Sequence, residues 1–153
     1  MYLVIVVLLL LVLPAGSVIA EVLWRGSGAV DVLLVVGKWY VFWAVGVRLF
    51  MAGVRQVLQP QFTADIFAIK DTAAHAIVRE VGFGNLAMGV LGLASLVKPG
   101  WVMPAAIVGG LYYGLAGVGH LCRSERNFHE QTALVSDLFA FIVLGVFVAA
   151  RGF

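Results

Sequence analysis

Charged residues and cysteine are scarce in this sequence. Of 153 residues only 12% are Asp, Glu, Lys or Arg, about half the share found in a soluble domain. The ten basic and eight acidic side chains leave a net charge of +2, spread along the chain. That excludes the clustered basic patch that nucleic-acid binding needs. The single cysteine, Cys122, excludes an intrachain disulfide framework and any paired-cysteine metal or redox motif. Internal repeats are absent, and the only biased stretch is the Leu- and Val-rich start. The surplus is apolar: 63% of residues are hydrophobic, against about 45–50% in a soluble globular domain. A water-soluble fold of this length has no interior for that surplus, so composition points to a lipid bilayer.

A helix needs roughly 20 mostly apolar residues to cross a ~30 Å hydrocarbon core. Five segments qualify, at about 2–20, 39–58, 80–97, 101–120 and 132–150. They predict an all-α, polytopic transmembrane helical bundle that forms one membrane domain over 1–153. Met1 to Ala20 carries no charge. Val18-Ile19-Ala20 before Glu21 has the form of a signal-peptidase site, but the basic flank of a secretory signal is missing, so the segment reads as a retained first span. Asp31 and Lys38 interrupt the apolar run leading into the second span, and Lys38-Trp39-Tyr40 reads as an interfacial anchor. Residues 21–37 are therefore expected to form a linker, turned at Arg25-Gly26-Ser27-Gly28, with a re-entrant or interfacial piece.

Pro99-Gly100 predicts a tight turn that makes the third and fourth spans antiparallel neighbours, with Trp101 at the interface and Pro104 in the first turn of the fourth. Before the third span, Phe62, Ile66, Ile69, Ala73 and Ile77 recur at helical spacing. This predicts an amphipathic helix over 61–78, lying on the membrane surface or packed across helix ends. With five spans the termini fall on opposite sides, and the loops at 59–79 and 121–131 share the face of the N-terminus. Lys70, Arg79, Arg123, Arg126 and Arg55 on that face outnumber Arg25, Lys38, Lys98 and Arg151 on the other, which puts the N-terminus in the cytoplasm.

Arg48 is the residue that carries most information about function. It lies at the midpoint of a span running over 39–58, where a charge costs about 2.5 kcal/mol or more unless it faces the bundle interior with a partner. Ala52, Arg55 and Gln59 continue the same face toward the loop side. On the fifth span Arg126, His129, Glu130, Ala133, Asp137 and Ala140 share a face, which makes Asp137 the natural counter-ion of Arg48. The third span offers Asn85 on a stripe with Gly82, Gly89 and Gly92. The fourth offers Gly110, Gly114 and Gly117, with His120 a turn further on and Tyr112-Tyr113 near the midplane. Such stripes let helices approach closely, within the chain or in a homo-oligomer. Arg55, His120, His129 and Glu130 lie at helix ends on one side, with Arg48, Asn85, Tyr113 and Asp137 beneath them. Together these eight residues are the candidate ligand site, a pocket or half-channel open to one side. The alternative is a structural ion pair that locks the helices. His120, Cys122, His129 and Glu130 lie close enough in sequence to converge, but their spacing matches no metal motif, and neither metal nor cofactor is expected.

The run Lys38-Trp39-Tyr40 through Arg48 and Arg55-Gln56, then Arg79-Glu80-Val81-Gly82-Phe83-Gly84-Asn85 and the glycine-rich fourth span, resembles small uncharacterised bacterial inner-membrane proteins that are DoxX-like in hydropathy. The resemblance covers about residues 38–150 in pattern. It implies a bacterial inner membrane and a link to respiratory or redox systems, and it carries over no catalytic residue. The expected function is non-enzymatic: a small integral membrane protein whose one-sided site at Arg48 and Asp137 binds or conducts a small anion, a proton or a polar headgroup. Its expected partners are lipid and either further copies of itself or a larger membrane complex. The second reading is an accessory subunit of a membrane oxidoreductase or respiratory complex. A third, an enzyme using Glu130 or His129 as acid or base, has no motif behind it.

Overall fold

The computed structural model describes residues 2–26, 31–66 and 69–152. Six helices account for nearly all of them, and no strand occurs among the described residues. In chain order they are α1 (Tyr2–Arg25), α2 (Val32–Leu58), α3 (Pro60–Ile66), α4 (Ala74–Ala94), α5 (Val102–Leu121) and α6 (Phe128–Arg151). All but α3 are long and apolar enough to cross a membrane. The five alternate in direction. Tyr2, the α2–α4 connection and the α5–α6 loop therefore share one end of the bundle, called here the loop end. The α1–α2 connection, Pro99 and Arg151 share the other, the turn end.

Two expectations about the connections are corrected. Residues 21–25 and 32–37 are helical, so the linker expected over 21–37 shrinks to a short connection; Ser27 and Gly28 of its expected turn lie outside the described residues. The helices run on because their charges meet. Glu21 on α1 accepts from Lys38 Nζ, from Trp39 Nε1 at 2.6 Å and from Arg25 at 2.8 Å. Gly26, at φ +80°, ends α1 in a backbone conformation that favours glycine. Asp31 then caps α2, accepting from the Leu34 amide at 3.3 Å, and also takes a guanidinium N–H from Arg151.

The amphipathic helix expected over 61–78 is instead two pieces. α3 covers Pro60–Ile66, residues 69–73 are not helical, and Ile77 already belongs to α4; residues 67 and 68 lie outside the described set. Asp71 is the cause. Its carboxylate accepts from the Ala73 amide at 2.8 Å and its carbonyl accepts from the Ala74 amide at 3.2 Å, a local bonding pattern that starts a new helix. The Pro99-Gly100 turn forms as expected, closed by the Trp101 amide on the Lys98 carbonyl at 2.9 Å. Pro104 sits in the first turn of α5.

Small residues decide which helices pair. α2 lies along α4, and α5 along α6, much more extensively than α4 meets α5. Gly46 faces Gly92, and Gly53 faces Gly82: a Cβ on Gly53 would stand 2.7 Å from the Gly82 carbonyl oxygen. On α5, a Cβ on Gly114 would meet Phe141 at 2.8 Å and one on Gly117 would meet Leu138 at 2.6 Å. The glycine stripes are thus occupied by the chain's own helices, and Gly114→Leu probes the α5–α6 contact before it probes assembly. Toward the turn end the bundle is filled by Val41, Ala44, Val45, Ala105, Ala106 and Leu144, all fully buried.

Candidate functional site

Arg48 closes a stretch of widened turns, Val41–Arg48, within α2. Such turns add a residue to the helical repeat, re-aim the side chains that follow, and recur at functional sites. Counting from Leu58, Arg48 lies ten residues inside α2, or ~15 Å at 1.5 Å per residue. Its Nη2 donates to Asp137 Oδ1 at 2.8 Å and to Ser136 Oγ at 2.9 Å. The expected ion pair is therefore present, with a hydroxyl added to it. The guanidinium also stands 4.9 Å from the centre of the Tyr113 ring, within reach of a cation–π attraction that strengthens when water is excluded. Tyr113 is held by its own hydroxyl, which donates to the Ala44 carbonyl in the widened stretch of α2.

Further groups complete the site. His120 Nε2 stands 3.9 Å from Asp137 Oδ2, so Asp137 faces a cation on one oxygen and an imidazole on the other. Asn85, 1% exposed on α4, donates through Nδ2 to Gln56 Oε1 at 2.7 Å. Arg48 Nη1, a donor, and Asn85 Oδ1, an acceptor, are buried without a hydrogen-bond partner among the described residues. Both residues line a cavity of about 650 Å³, a size usual for small-molecule sites. It opens toward the loop end, where Arg55, Thr63 and Arg123 border it. Beyond Arg48 toward the turn end stand Val41, Ala44, Val45 and Leu144, all fully buried, so the polar cavity ends blind there.

The eight sequence candidates divide. Arg48, Asn85, Tyr113, His120 and Asp137 come together in the cavity, and Arg55 reaches its mouth, over the Phe62 ring at 3.4 Å. His129 does not line it: it is exposed, meets the Tyr2 ring edge-on at 5.6 Å, and borders an adjoining recess of about 330 Å³ that shares Tyr2, Arg55 and Phe62 with the cavity. Glu130 is also outside the cavity. Its carboxylate accepts from the Asn127 amide at 3.3 Å while Asn127 Oδ1 accepts from the Glu130 amide at 2.9 Å, a reciprocal cap on the start of α6. Arg123 approaches the same carboxylate at 2.9 Å. Arg126 donates to the last carbonyls of α5, those of His120 and Leu121, at 3.1 Å each. Ser136 and Gln56 are the polar partners that sequence reasoning missed. A serine next to Asp137 does not share its helical face, so spacing offered no signal for it.

The cap gives a direct expectation. Asn127→Ala should lower stability by about 1 kcal/mol, and by more if α3 also loosens, because Asn127 Nδ2 donates to the Ile66 carbonyl at 2.7 Å. Denaturant unfolding in detergent measures it, and a variant as stable as wild type would remove the cap from the account.

Among the described residues, no three His, Cys, Asp or Glu side chains converge as a metal site. No curated protein and no solved structure matches the chain. Over residues 1–151 it fits the family described as a family of unknown function (DUF6790), and the chain belongs to that family.

Proposed function

We propose that this is a non-enzymatic membrane protein that holds a polar group inside the bilayer, at Arg48, and admits it from the loop end. The observation that carries the reading is Arg48 Nη1, a charged donor with no hydrogen-bond partner among the described residues, beside a cavity large enough for a ligand. A buried unsatisfied donor on a charged group costs several kcal/mol less when a ligand supplies the acceptor. The blind end favours holding over conduction, because a conducted ion would have to cross the packed layer around Val45 and Leu144. The two acid–base candidates, His129 and Glu130, lie outside the cavity, which favours binding over catalysis. We assign the protein to a bacterial inner membrane with its N-terminus cytoplasmic, so that the site opens to the cytoplasm.

The test compares wild type with the double variant Arg48→Gln/Asp137→Asn, which keeps the pair neutral. Both are purified in mild detergent and their co-purifying small molecules identified by mass spectrometry. Wild type is expected to carry a bound molecule that the folded double variant lacks. Equal loading of the two would overturn the reading. A protein subunit co-purifying in fixed ratio, with no small molecule, would favour the accessory role in a membrane complex.

A further inference from the structure

The cavity is layered, and helix rise gives the layers. Arg48 and Arg55 are seven residues apart on α2, nearly two full turns, so they share a face and lie ~10 Å apart along the axis. On α4, Asn85 lies eight residues inward from Ile77, ~12 Å deeper. Arg48 and Asn85 therefore belong to the floor, and Arg55 and Arg123 to the mouth at the loop end. Between them the wall is made by Ile5 on α1, Ala52 on α2, Val81 on α4 and Ala116 on α5, all apolar. Gln56 crosses this layer, and its carbonyl oxygen is taken by Asn85 at 2.7 Å.

The two polar layers differ in charge. At the floor Arg48 is matched by Asp137 at 2.8 Å, so the pair is neutral as a unit. What stays open there, among the described residues, is one donor, Arg48 Nη1, and one acceptor, Asn85 Oδ1. A carboxylate meets only the donor and leaves a net negative charge at that depth. A hydroxyl both accepts and donates, and adds no charge. At the mouth the balance is different. Arg123 is matched by Glu130 at 2.9 Å, while Arg55 lies over the Phe62 ring and forms no salt bridge among the described residues. Asp65, on the adjoining recess with Arg55, is exposed and is not paired with it. One cation is thus unmatched where the cavity opens, at the place where an anion keeps most of its contact with water.

We infer that the site takes a medium-chain hydroxycarboxylate, bound with its carboxylate outward. The carboxylate pairs with Arg55 at the mouth, and the chain runs inward past Ala52 and Val81. A hydroxyl remote from the carboxylate accepts from Arg48 Nη1 and donates to Asn85 Oδ1. The inference rests on the reading of Arg48 as a binding site and names its ligand class.

Full-length protein in phosphatidylcholine nanodiscs, with radiolabelled ω-hydroxydecanoate as the probe, tests it. The probe is expected to bind saturably. Decanoate, which lacks the hydroxyl, is expected to compete about tenfold less well, the equivalent of one hydrogen bond. Decanediol, with a hydroxyl at each end and no carboxylate, is also expected to compete about tenfold less well. β-Hydroxydecanoate carries both groups too close together to reach both layers, and is expected to do no better than decanoate. None of these comparisons needs a variant to fold. Arg55→Gln, which leaves the buried pair intact, is expected to weaken the probe about tenfold and leave the diol unchanged. If decanoate or β-hydroxydecanoate equals the probe, the floor reads no hydroxyl and the inference fails. If the diol equals the probe, or Arg55→Gln binds the probe as wild type does, no anion sits at the mouth and the inference fails. Should the probe not bind saturably while wild type still carries a molecule that the Arg48→Gln/Asp137→Asn variant lacks, the ligand class fails and the Arg48 site stands. If neither is seen, both fall.

Discussion

Arg48→Gln alone or Asp137→Asn alone is expected to lower the stability of the folded protein by about 3–5 kcal/mol, and the double substitution to return much of that loss. The two charges are 2.8 Å apart, with both side chains largely buried. Removing one leaves the other desolvated and unmatched, which costs more than the pair contributes when intact. Removing both leaves Gln and Asn, which can hydrogen-bond to each other and to Ser136. The two single changes should therefore be strongly non-additive, the mark of residues in direct contact. Denaturant unfolding in detergent, run on all four proteins of the cycle, measures the coupling. Additive losses would show that Arg48 and Asp137 do not depend on each other. Tyr113 and His120 are then the groups to vary next, because each stands against one member of the pair.

The second large effect belongs to a glycine. Gly92→Leu is expected to prevent folding, or to destabilise by more than about 3 kcal/mol, the upper end of ordinary overpacking. A Cβ on Gly92 would land against the Gly46 amide nitrogen, 2.6 Å from the Gly46 Cα and 2.9 Å from the Val45 carbonyl carbon. These are backbone atoms on the facing helix, so no rotamer change makes room and α2 must move away from α4. In a bilayer that contact is what holds the helices together, because lipid tails are as apolar as the side chains they would replace. Gly84→Leu is the control. It lies on the same helix with nothing within 4 Å of its Cβ position, and leucine is the better helix former, so its stability should equal or exceed wild type. Size-exclusion profile and unfolding midpoint report both variants. A well-folded Gly92→Leu protein would show that α2 and α4 do not meet at Gly46.

The sequence by itself determined that this chain is a helical bundle with five helices able to cross a membrane. It also determined where the deepest charges lie. Hydropathy is a relation between one residue and the bilayer, and it sums along a helix without knowledge of neighbours. With so few charges near mid-span, Arg48 had essentially one opposite charge at its own depth, so Asp137 was legible as its partner. The Pro99-Gly100 turn was legible for a similar reason, since its bonding is local.

Whatever depended on how helices are rotated and tilted against one another was settled only by the tertiary structure. Lys38, which interrupts the apolar run leading into the second span, is neutralised by Glu21 across the α1–α2 pair, and both helices run longer than expected. Glu130 shares a helical face with Asp137, yet Asn127 three residues before it draws its carboxylate to the helix start. Ser136 joins the Arg48 pair from the position next to Asp137, where the one-dimensional repeat does not put it. A glycine stripe reads the same whether its partner is the next helix or a second copy of the chain, and only the fold pairs Gly92 with Gly46. The open oxygen of Asn85 is the same kind of fact. An unfilled hydrogen bond exists only relative to the surrounding atoms, and those lining its cavity are assembled from five other helices.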